Sequence, residues 1–134
     1  MKFFAHSALL FLLCQCSLGP SASQKAEAGR ISRAIDVLRD APNARKLQLF
    51  AQLQGAPCET PELCELKRQC AAGYAQHLQG LAQTTRAKAL LADGGADAEV
   101  SQALDAAKSE LSRAEPLIAQ CADAQGAAHR KYKF

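Results

Sequence analysis

The chain has 134 residues, with 16 basic and 13 acidic side chains, six cysteines and no tryptophan. That length supports one domain, and a net charge of +3 is too small to imply a nucleic-acid partner. Alanine and leucine supply 28 and 18 residues and aromatics only 5%, which excludes strand-rich folds and points to an all-α chain.

Residues 1–23 read as a cleaved signal peptide. Lys2 precedes an apolar run from Phe3 to Leu13, and small residues follow from Ser17 to Ser23. The run falls short of the roughly 20 apolar residues that span a bilayer. Ser21 and Ser23 favour cleavage after Ser23, whereas a cut after Gly19 would put Pro20 just past it. Cys14 and Cys16 make lipid attachment a minority alternative, because Leu13 and Gln15 precede them where a small residue is needed.

The helical domain is expected over residues 24–128. The first helix, at about residues 25–39, carries Ala28, Ile31, Ile35 and Leu38 as one stripe. Pro42 breaks the pattern, and Asn43 is a favoured N-cap for a second helix over about 44–54. Leu47, Phe50 and Leu53 would be its buried face.

The third helix is expected over 61–92, with Thr60 as cap, Pro61 in the first turn and the Gly94–Gly95 pair as its stop. Its stripe runs through Leu63, Leu66, Cys70, Tyr74 and Leu81 to Leu91. Gly73 and Gly80 weaken it, or let a neighbouring helix come close.

Asp97 is the expected cap of the fourth helix, over about 97–125. Val100, Leu104, Ala107, Leu111, Ala114, Ile118 and Cys121 alternate spacings of four and three, the strongest periodic signal in the chain. The phase continues through Pro116, which predicts one kinked helix rather than two. Gly126 is the expected stop, leaving residues 129–134 as a basic flexible tail.

Four cysteines remain after signal removal, an even set that predicts two disulfides in an exported chain. Cys64 and Cys70 on one intact helix would point about 120° apart and differ by about 9 Å in rise, so they cannot bond. A hairpin turning at Gly94 and Gly95 sets Cys70 against Cys121. It also sets Tyr74 near Leu117 or Ile118, and Leu81 near Leu111. The favoured scheme is therefore Cys70 with Cys121 and Cys58 with Cys64. The rival, Cys64–Cys121 with Cys58–Cys70, leaves Leu90 and Leu91 in the turn.

Charge is unevenly spread. Residues 24–57 hold six bases and three acids, and residues 96–128 hold two bases and six acids. Basic early helices are thus expected beside an acidic last helix. A sharper possibility is a basic contact patch of Arg30, Arg33, Arg39, Arg130, Lys131 and Lys133 for an anionic partner.

No nucleophile elbow, phosphate loop or metal-ligand spacing occurs in the sequence. Glu62 and Glu65, and Asp97 and Glu99, read as first-turn charges rather than acid–base pairs. No cofactor and no metal are expected.

The fold expected is a small bundle of three or four helices, centred on a long antiparallel hairpin stapled by disulfides. The function expected is an exported, non-enzymatic accessory protein of the periplasm, envelope or outside medium. It would bind another protein through a helix face, with no transmembrane span in the mature chain. The alternative is a secreted membrane-active factor using its basic first helix and tail.

Overall fold

The structure, a computed structural model, describes residues 19–134. The apolar run, Cys14 and Cys16 lie outside the described residues. Four helices follow in order: α1 (Ala22–Asp40), α2 (Asn43–Gly55), α3 (Pro61–Ala92) and α4 (Asp97–Tyr132). The all-α bundle expected from composition is what forms, with the α3–α4 hairpin at its centre.

α1 starts earlier than its stripe suggested. The Ser21 hydroxyl accepts from the Gln24 amide, and the Gln24 side chain accepts from the Ser21 amide, closing a capping box. A cut after Ser23 falls inside this first turn and removes the cap. The core stripe of α1 is as the period implied: Ala28, Ile31, Ile35 and Leu38 are all fully buried.

The other caps differ from expectation. Asn43 is the first residue of α2, not its cap, and Asp97 is the first residue of α4. Pro42 and Ala96 stand at the cap positions without side-chain bonds. The face of α2 is also rotated: Leu49 and Leu53 are buried and Phe50 half-buried, while Leu47 is 68% exposed.

α4 does not stop at Gly126, and residues 129–132 are not a loose tail. The helix runs on to Tyr132 because that ring is buried and its hydroxyl donates to Glu62. Burying one large aromatic outweighs the roughly 1 kcal/mol cost of glycine inside a helix. The helix then ends on Lys133, which adopts a left-handed conformation.

Both bridges of the favoured scheme are present, Cys70–Cys121 and Cys58–Cys64. The first locks the hairpin register. Next to it, a Cβ on Gly73 would meet the backbone of Ile118 at 3.1 Å, and one on Gly80 would meet Leu111 at 2.6 Å. The two glycines therefore set how closely α3 and α4 approach.

The hydrophobic core occupies one end of the hairpin. On α3 it spans Leu63 to Tyr74, and on α4 it runs from Cys121 to Tyr132 with Ile118 packed on its edge. Beyond that point the buried residues of the hairpin are small: Gly80, Ala87, Val100, Ala103, Ala107 and Ala114. The bundle thus has a four-helix base and a two-helix arm, the arm being roughly 25 Å long from Gln79 to the turn. The seven-residue stripe of α4 splits accordingly. Val100, Ala107, Ala114 and Cys121 enter the seam, while Leu104 is 48% exposed and Leu111 half-buried at its edge.

Candidate functional site

Three buried or half-buried charges join the base helices end to side. The Glu27 carboxylate on α1 accepts from the Glu59 amide at 2.7 Å, the Thr60 amide at 3.1 Å and the Thr60 hydroxyl at 2.8 Å. It caps α3 from another helix, which is why Thr60 makes no cap bond of its own. Burial would raise the pKa of Glu27, but these bonds and nearby Arg30 outweigh it and hold the carboxyl below its usual range. Lys46 on α2 donates to the Leu38 and Arg39 carbonyls at the end of α1, and Lys67 on α3 donates to the Gln54 and Ala56 carbonyls at the end of α2. These contacts close open helix ends. They leave the three charges committed to structure.

α1 meets α4 through a polar cluster rather than through opposite charges. Gln125 donates to the Ser32 hydroxyl and to Asp36, and accepts from Arg39. Three of the four ion pairs among the described residues lie within single helices: Asp36–Arg39, Glu65–Arg68 and Glu110–Arg113. The exception joins Lys131 to Glu62. The expected attraction between basic early helices and an acidic last helix does not appear as direct pairs.

The six proposed patch residues are divided by this fold. Lys131 is taken up by Glu62. Arg39 and Arg130 line a polar cleft between α1 and α4, together with Asp36, Gln125 and His129. Lys133 lies past the end of α4. Arg30 and Arg33 line a groove between α1 and α2, and Arg33 also borders Ser32 and Asp36 on the side of α1 that faces the cleft.

That groove, of about 270 Å³, brings exposed apolar surface together with two arginines that make no ion pair among the described residues. Its floor is Ala34, Val37 and Leu49, and its rim is Arg30, Arg33 and Gln52. Val37 is 48% exposed because it lies off the fully buried stripe of α1. The groove suits an apolar side chain flanked by carboxylates. The periodic reading of α1 used only its core stripe and so missed Val37. The signal available was an apolar residue one position outside that stripe, between arginines.

Two titratable groups lie under the end of α1. Tyr74 is buried and its hydroxyl has no hydrogen-bond partner among the described residues. Burial raises its pKa, with Arg39 opposing, so it stays protonated. Burial and the Lys46 ammonium push the His77 imidazole below its ordinary pKa. All four cysteines of the described residues are in disulfides. Among those residues no group of three or more His, Cys, Asp or Glu side chains is placed to hold a metal ion, and no helix is long and apolar enough to cross a membrane.

No protein-family model, no curated protein and no solved structure matches the chain.

Proposed function

We propose that the chain is an exported binding protein, without catalytic activity, that engages another protein through the α1–α2 groove. The observation that carries this reading is Val37, 48% exposed in a groove it shares with Arg30, Arg33 and Leu49. An apolar residue held open beside two arginines resembles the anchor-and-rim pattern of contact sites. The partner's chemistry follows: a helix face with one apolar side chain and flanking acids.

Export is supported by the two disulfides, which persist in oxidising compartments. The periplasm, the cell envelope and the outside medium all meet that condition. The absence of a free thiol among the described cysteines argues against thiol chemistry.

The membrane-active alternative needs an apolar face on α1 that can enter lipid. Ala28, Ile31, Ile35 and Leu38 are instead fully buried in the core, and anionic vesicles are expected to stay sealed.

Crosslinking in the native compartment tests the proposal, with wild-type protein compared against Val37→Glu and Arg33→Glu. Proteins captured by the wild type and lost from both variants would support it. Equal capture by all three would overturn it.

A further inference from the structure

The groove and the arm are complementary within one chain. α1 and α2 together carry six basic and three acidic residues. The arm from Gln79 to Pro116 carries six acids (Asp93, Asp97, Glu99, Asp105, Glu110, Glu115) against four bases. The arm also exposes apolar side chains of its own. Leu91 is 62% and Leu104 is 48% exposed.

Leu104 lies on a defined face. Leu104, Leu111 and Ile118 are seven apart, and Ala122 follows four later, all in one helical phase. Ala122 lines the cleft against α1, and Ile118 packs on the core that α1 helps build. Leu104 is therefore on the side of α4 that α1 covers farther along. The molecule has the profile of a step: two layers at the base and one at the arm, with the bare tread facing the same way as α1 and α2.

We infer that two copies of the chain associate about a two-fold axis, each laying the acidic arm and Leu104 over the α1–α2 groove of the other. The proposal names the occupant of the groove and so rests on the reading of that groove as a binding site. Three relationships carry it. The charges are opposite. The lengths match, since α1 has 19 residues, roughly 28 Å, against an arm of roughly 25 Å. One rotation satisfies both contacts at once, so the association closes at two. The α1–α2 pairs of both copies then form a shared middle layer between the two hairpins.

The test is sedimentation equilibrium on the oxidised, exported chain, at low and at high salt. A dimer at low salt that weakens as salt screens the rims is expected. Leu104 and Val37 are exposed positions, so the helicity of Leu104→Lys and Val37→Glu by circular dichroism should match wild type. Each variant should raise the dimer dissociation constant by about tenfold or more, because Leu104→Lys sets a cation against Arg30 and Arg33, and Val37→Glu removes the apolar contact and sets a carboxylate against the acidic arm. A wild-type monomer at low salt, an open-ended polymer, or a dimer unchanged in both variants would overturn the inference. The groove reading stands separately: a monomeric chain whose foreign partner is lost on Val37→Glu refutes self-association alone. A Val37→Glu change that affects neither self-association nor capture refutes both.

Discussion

The Glu27 carboxylate holds the first turn of α3 through Thr60, accepting from both its amide and its hydroxyl at 3.1 Å and 2.8 Å. A side chain from α1 thereby does what a local cap normally does. The link also fixes the Cys58–Cys64 loop against α1, since Glu59 and Thr60 lie inside it.

Replacing that acceptor should be expensive. Glu27→Ala leaves the Glu59 and Thr60 amides without their partner, a loss of about 1–3 kcal/mol. Urea unfolding at neutral pH reads it directly. Thr60→Val, which keeps the amide bond and removes only the hydroxyl donor, should cost less.

Acid should destabilise the fold in two stages. His77 has its pKa lowered by burial and then by Lys46, so the folded chain favours the neutral ring. That contribution is complete above the ordinary histidine value of about 6.5 and is lost as pH falls below it. The carboxyl of Glu27 is held low despite burial, chiefly by Glu59 and Thr60, and that of Glu62 is held low chiefly by Lys131. Their contribution is present above the ordinary glutamate value of about 4.3 and falls away as pH drops through their lower folded values. Thermal melts across the acid range should show both stages. His77→Gln should remove the first stage and leave the second.

The two bridges should differ in weight. Cys70 and Cys121 are 51 residues apart and Cys58 and Cys64 only six. In the chain-entropy account the long closure contributes about 4 kcal/mol and the short one about 2. Chemical denaturation of the Cys70→Ser, Cys121→Ser double variant against Cys58→Ser, Cys64→Ser measures the difference. Equal losses would show that loop length is not what sets them.

Gly73 and Gly80 should resist enlargement. Substitution of an exposed helical glycine by a larger residue ordinarily adds stability. Here Gly73→Leu must push against the α4 backbone, which its first added carbon already meets at 3.1 Å. The expected loss is roughly 1–3 kcal/mol, measured by thermal unfolding. The same change at Gly55, where a Cβ would meet nothing within 4 Å, should show no such loss.

The sequence was most informative where the cause is local or covalent. The period of α1 identified its buried stripe, and cysteine numbering together with Gly94–Gly95 placed the hairpin turn. It was least informative where a distant residue decides. Gly126 has the features of a helix stop, and only Tyr132 meeting Glu62 carries α4 past it. Glu27, Lys46 and Lys67 cap ends of other helices, and nothing in local spacing announces that. The surroundings of the basic residues were hidden for the same reason: Lys131 is paired with Glu62, while Arg30 and Arg33 share a groove that exists only once α2 folds back on α1. Leu104 fits the heptad perfectly, yet stands half-open because α1 ends before reaching it.

Everything proposed for this protein depends on export in the oxidised form. The most direct test is the intact mass of the chain recovered from its native compartment after treatment with a thiol-alkylating reagent. The account predicts a chain running from Gln24 to Phe134, four hydrogens lighter than its reduced form and carrying no alkyl group. A chain that retains residues 1–23 and is alkylated at Cys58, Cys64, Cys70 and Cys121 would contradict it.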